Sequence, residues 1–241
     1  MSTTTTTTTT STSSKQKAYP LIAIVGPSGS GKSSSLRNLD PKTTKILNIE
    51  RKILPFQSAL QFGDNDVYIK DSNELFIELR KAINDPEIKT IVIESFTMLC
   101  DKIASMARNI ASGWEIWNVH NNKVSEFFDI IKNNKQKFIV ILAIDEYLKI
   151  MSPTGSETTA RRVKIDGKKH EGKIEYHFSL VLFTDVKKDK DKPAVYNFVV
   201  NTDGMNTAKT PDGMFTTDKI DNDINAVIER VKEYYGIKNS E

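Results

Sequence analysis

Residues Gly26, Pro27, Ser28, Gly29, Ser30, Gly31, Lys32 and Ser33 spell G-x-x-x-x-G-K-S directly behind the apolar run LIAIV at 21–25. No other stretch constrains the fold as tightly. A buried strand must run straight into a glycine-rich turn, and a helix should follow. Glycine lets the backbone turn sharply and approach an anion. The backbone N–H groups then line a concave nest. Lys32 is placed for the β- and γ-phosphates of a nucleotide, and the Ser33 hydroxyl for the Mg²⁺ that bridges them. Ser34 completes the set of loop contacts. A helix over 32–38 would aim the positive end of its dipole at the same charge. ATP and Mg²⁺ are therefore the expected ligands.

The pattern beyond the loop alternates strands with helices. Apolar runs at 44–49, 66–69, 90–93 and 137–144 read as strands, the last being KFIVILAI. Segments 73–84, 96–111 and 115–132 carry helical spacing, the last two separated near Gly113. Such alternation predicts an α/β fold with a mainly parallel, doubly wound sheet and helices on both faces. Right-handed crossovers place the phosphate loop at the carboxyl edge of that sheet. The texture changes after residue 150. Segment 152–172 is polar, basic and rich in turn residues, and reads as a mobile loop. Runs 173–184 and 194–201 alternate with period 2 and predict a C-terminal antiparallel hairpin. A helix is expected over 219–235, with Gly236 as its cap.

Domain organisation follows. Residues 1–17 form a Thr/Ser tract that cannot bury a core and is expected to be disordered; 18–241 then make one ATP-binding domain. No apolar stretch approaches the ~18 residues that span a membrane. No basic-plus-apolar leader is visible at the N-terminus. These absences and the single cysteine, Cys100, fit a cytoplasmic protein. Cys100 lies in an apolar helical pattern and reads as a core residue. His120, His170 and His177 lack metal-ligand spacing, which argues against zinc. Trp114 and Trp117 are spaced i,i+3 and read as packing residues.

A nucleotide hydrolase needs a carboxylate beside Mg²⁺ and a group that orients the attacking water. Three strand ends offer acids. Glu94 ends IVIE and would hold Mg²⁺, through water. Glu50 ends LNIE and would act as general base. Asp145 and Glu146 end LAIDE and are candidates to sense the γ-phosphate. Behind them, Arg161, Arg162, Lys164, Lys168 and Lys169 make a basic segment suited to a nucleic-acid backbone.

In this order the pieces resemble RecA-like P-loop ATPases, most closely the short phage-type proteins of single-strand annealing and recombination, over about residues 19–215. NIE ending in Glu50 is similar to the strand whose glutamate activates water. IVIESFTML is similar to the second nucleotide motif, with Glu94 where aspartate is usual. ILAIDEYL resembles the strand before the second DNA-binding loop. The stretch from FSLVLFT to NTAKT resembles the terminal hairpin, where Lys209 would reach a neighbouring subunit's nucleotide. The resemblance implies an ATPase with Lys32, Glu50 and Glu94 as catalytic residues. It also implies single-stranded DNA as ligand, a homo-oligomer, and a single-strand DNA-binding protein as a further partner. Two other uses of a bound nucleotide stay open: an ATP-gated binding module with little turnover, and a small-molecule P-loop kinase with Arg161 and Arg162 on a lid.

Overall fold

The computed structural model describes residues 19–134, 136–151, 155, 157–167, 169–170 and 172–238, with backbone alone for 150 and 158. The expected disordered tail at 1–17, Lys168 and parts of the 152–172 segment lie outside the described residues.

An eight-stranded sheet forms the centre, in the order β10-β9-β8-β1-β5-β4-β2-β3. Strands β1 (Leu21–Val25), β2 (Thr44–Asn48), β3 (Asp66–Tyr68), β4 (Thr90–Glu94), β5 (Phe138–Ala143) and β8 (Leu180–Lys187) pair in parallel. Strands β9 (Val195–Val199) and β10 (Lys219–Asp221) add antiparallel at the β8 edge. β1, β4 and β5 are buried along their whole length, as continuous apolar runs must be when helices cover both faces.

Helices α1 (Ser72–Asn84), α2 (Phe96–Ile110) and α3 (Glu115–Lys132) cover one face, where Leu75, Leu79, Phe96, Ile103, Val124 and Phe127 meet Ala23, Ile91 and Ile141. The other face packs Ile22, Ile24, Val92, Val140 and Leu182 against Leu36, Phe62 and α4 (Ile224–Tyr235), through Val227 and Val231. The caps explain the boundaries. Asp71 accepts from the Glu74 N–H, Ser95 from Met98, and Asp223 from Asn225 and Ala226. Gly236, at φ 63°, ends α4 in the left-handed region that favours glycine. Among the described residues no helix is long and apolar enough to cross a membrane.

Four local expectations are corrected. The segment after the phosphate loop is a six-residue 3₁₀ helix, Ser33–Asn38, and not an α-helix. The segment expected as a loop from 152 contains strand β7 (Glu157–Val163), paired antiparallel with β6 (Asp145–Met151) in a separate two-stranded ribbon. The run at 173–184 is not one strand: Ile174–His177 is a 3₁₀ turn, and Tyr176 is 79% exposed between buried Ile174 and Phe178. The last helix starts at Ile224, because 219–221 pair with β9 instead.

Candidate nucleotide site

Strand β1 lies between β5 and β8 and delivers Gly26 to the carboxyl edge of the sheet. The Gly26 N–H continues the β5 ladder by donating to the Ala143 carbonyl at 3.1 Å. A Cβ on Gly26 would lie 1.8 Å from Thr184 Oγ1, so only glycine fits. Thr184 Oγ1 sits 2.7 Å from Ser30 Oγ, which donates to the Pro27 carbonyl at 2.7 Å. This chain of hydroxyls fixes the loop's curvature from β8. Pro27, Ser28 and Gly29 form an exposed crown, with Gly29 at φ 75°. Gly31, at φ 93°, is walled by Tyr196 Cδ1 and the Asn222 carboxamide, 2.8 and 3.3 Å from where its Cβ would stand. Because the following helix is a short 3₁₀ turn, the anion cradle rests chiefly on the loop's own amides. Ser34 is half-buried, and its carbonyl accepts from Arg37 at 3.1 Å.

The Lys32 ammonium donates to the Gly26 and Pro27 carbonyls at 2.8 Å each. Burial lowers its pKa, opposed by the charges of Glu94, Glu50 and Asp145. Those acids come from three strand ends, so the topology has gathered residues far apart in the chain around one lysine.

Glu94 is 4% exposed, and its Oε1 accepts from Ser33 Oγ at 2.9 Å. Its Oε2 is buried with no hydrogen-bond partner among the described residues. Burial raises the carboxyl from 4.5 to about 7; the Ser33 hydrogen bond opposes this and the charge of Glu50 adds to it. A buried carboxylate oxygen without a donor, beside a serine hydroxyl, is what a divalent cation would satisfy. Ser33 and Glu94 therefore fit Mg²⁺.

Glu50 lines the same cavity, of about 170 Å³, together with Ser33, Asn48, Lys52 and Glu94. The β2 end is tied to β4 there, since the Glu50 N–H donates to the Glu94 carbonyl at 3.3 Å. Glu50 also makes an exposed ion pair with Lys52 at 3.4 Å. Arg51 occupies the left-handed region at φ 55°, its N–H held by Asn48 Oδ1 at 2.8 Å. Strain of this kind at a non-glycine residue is typical of functional turns.

The two acids after β5 divide. Asp145 turns inward, its side chain 4% exposed, and pairs with Arg161 Nε at 2.8 Å. Glu146 instead lines a separate cavity of about 520 Å³ with Trp114, Trp117, Asn121, Asp166 and Lys169. The basic residues divide too. Arg161 is spent on Asp145 and lies over the Phe183 ring, 5.1 Å from its centroid. Arg162 is half-buried, and its Nε has no partner among the described residues. Lys164 and Lys169 are exposed. Lys209 is half-buried, with its N–H on the Val181 carbonyl at 3.0 Å; burial lowers its pKa. Trp114, read from spacing as a packing residue, is 80% exposed.

Sequence reasoning missed Thr184, Asn222, Tyr196 and the pairing of Arg161 with Asp145. Thr184 follows the apolar part of β8, Leu180 to Phe183, and only the pairing of β8 with β1 reveals its contact with the loop. Asn222 and Tyr196 carry no local signal, because their roles come from β10 and β9 folding back on Gly31.

A family model described as an AAA domain matches residues 18–216. That is most of the chain, and the chain belongs to this family of P-loop ATPase domains. A comparison with the curated proteins finds no match.

Proposed function

Taking membership of that family as premise, we propose that this protein is a Mg²⁺-dependent ATPase of RecA-like type that acts on single-stranded DNA in annealing or recombination. One observation carries the ATPase reading. Ser33 and Glu94 meet at 2.9 Å behind the phosphate loop, with Glu94 Oε2 buried and unpartnered.

The roles follow from position. Lys32 exchanges the Gly26 and Pro27 carbonyls for phosphate oxygens and stabilises charge on them. Ser33 and Glu94 would hold Mg²⁺, which supplies charge neutralisation on the phosphates when bound. Glu50, across the same small cavity, takes a proton from the attacking water. Glu94 must be deprotonated to serve; burial opposes that in the empty site, and Mg²⁺ arriving beside it favours the carboxylate.

Support for a single-strand ligand comes from the cavity lined by Trp114, Glu146 and Lys169. Trp114 offers an open aromatic face, and Lys164 and Lys169 are exposed nearby in sequence to the cavity wall. Exposed aromatics beside cations suit stacked bases and phosphates. A homo-oligomer, with Lys209 reaching a neighbour's nucleotide, belongs to the same reading. The test is ATP hydrolysis with and without single-stranded DNA, on wild type and Lys32→Ala. Hydrolysis stimulated by DNA and lost in Lys32→Ala is expected. Hydrolysis that ignores DNA, with no DNA binding by wild type, would sink the recombination half and leave an ATPase.

A further inference from the structure

Arg161 is placed unlike the other described cations of its segment. Its backbone is pinned, with the N–H on the Met205 carbonyl at 2.8 Å. Its guanidinium points back to the sheet, bonded through Nε to Asp145 and lying over Phe183. Phe183 pairs in register with Val25, the residue just before the phosphate loop. Ala143, two residues before Asp145, pairs with Val25 on the other side. The Asp145–Arg161 pair therefore spans the strand end from which the loop springs, and the charge of Asp145 is felt at Lys32. The guanidinium carries five N–H donors in a fixed fork, and the bond to Asp145 uses one. Arginine prefers phosphate oxygens in bidentate geometry.

We infer that Arg161 is a γ-phosphate ligand supplied by the β6–β7 ribbon of the same chain, held in waiting by Asp145. With ATP bound, the guanidinium turns from the Asp145 carboxylate to the γ-phosphate oxygens while its backbone stays on Met205. The ribbon then loses the ion pair that joins β6 to β7 at its base, so the presence of the third phosphate is reported to the surface that carries Glu146, Lys164 and Lys169. With ADP no oxygen lies within reach, and the ion pair reforms. Asp145 acts as a positioning residue. This inference rests on the reading of the phosphate loop as an ATP site.

The test compares affinity for a non-hydrolysable ATP analogue and for ADP, each with Mg²⁺, by calorimetry. Arg161→Gln should weaken the ATP analogue by about tenfold to a hundredfold, the size of one charge-assisted hydrogen bond, and leave ADP unchanged. Arg161→Lys should recover part of the loss. Asp145→Asn removes the competitor and should tighten the ATP analogue several-fold without changing ADP. ADP affinity serves as the control for folding in every variant. If wild type binds both nucleotides and Arg161→Gln keeps the same ATP-to-ADP ratio, the pair is only structural and the inference falls alone. If wild type binds neither nucleotide, the ATP-site reading falls and takes this inference with it.

Discussion

Replacing Glu94 with glutamine should make the ligand-free protein more stable while abolishing its Mg²⁺-dependent chemistry. The buried carboxyl is raised from 4.5 to about 7, chiefly because burial penalises its charged form. A group that binds protons more tightly folded than unfolded stabilises the protein at low pH, and that contribution is lost as pH rises through the two values. The contribution of Glu94 should therefore be greatest below about 4.5, fall up to about 7, and level off above. At 1.36 kcal/mol per pH unit, the interval corresponds to about 3 kcal/mol. Glutamine keeps the shape and carries no charge. Urea unfolding with EDTA and no nucleotide, from pH 4.5 to 8, should show Glu94→Gln ahead of wild type by about 3 kcal/mol at pH 8. The gap should close toward the acid end. Adding Mg²⁺ and ADP should stabilise wild type more than the variant, which keeps the phosphate loop and loses the carboxylate that would hold the cation. A gap that stays constant across the pH range, or a wild type that is the more stable at pH 8, would refute the view that Glu94 is a costly buried charge awaiting a cation.

Two further outcomes follow from the loop and its neighbour. Glu50→Gln should retain ATP binding within about threefold and lose hydrolysis by about a hundredfold, because general-base catalysis is worth that order; single-turnover phosphate release measures it, and full activity would remove Glu50 from the mechanism. Gly26→Ala should destabilise by about 1–3 kcal/mol, as overpacking does, since its Cβ would meet Thr184 Oγ1 at 1.8 Å; thermal unfolding should show part of this restored in Gly26→Ala/Thr184→Ala, and equal losses in both would place the strain elsewhere.

The parallel core was legible because its strands are continuous apolar runs and its helices repeat at 3.6 residues. Ile91, Val92 and Ile93 have no exposure, whichever face they point to, so composition alone marks such a strand. The β6–β7 ribbon was not legible. Its strand ETTARRV buries the apolar Ala160 and Val163, three residues apart, and half-buries Arg161 and Arg162 between them, so it carries neither an apolar run nor an alternation. The segment at 173–184 misled for the opposite reason. Ile174 and Phe178 are buried four residues apart by a turn and face the α1–α3 side, while Leu180 and Leu182 face the other. An accidental period of two joined them. Within the site, Lys32, Ser33, Glu50 and Glu94 stood out because each ends a recognisable strand or motif. Arg161 looked like one more surface cation, since its inward turn depends on an acid sixteen positions away across the ribbon.

Tyr196 and Asn222 close over Gly31 from the far end of the chain. The glycine-rich turn thus leaves the ribosome well before its outer wall does. A nascent chain displays the whole motif long before β9, β10 and the start of α4 can shape it. Domains tend to fold as units once synthesis has delivered them, and here that delay reaches the ligand site itself. A fragment ending before Asn222 would carry the entire motif without the carboxamide that walls Gly31.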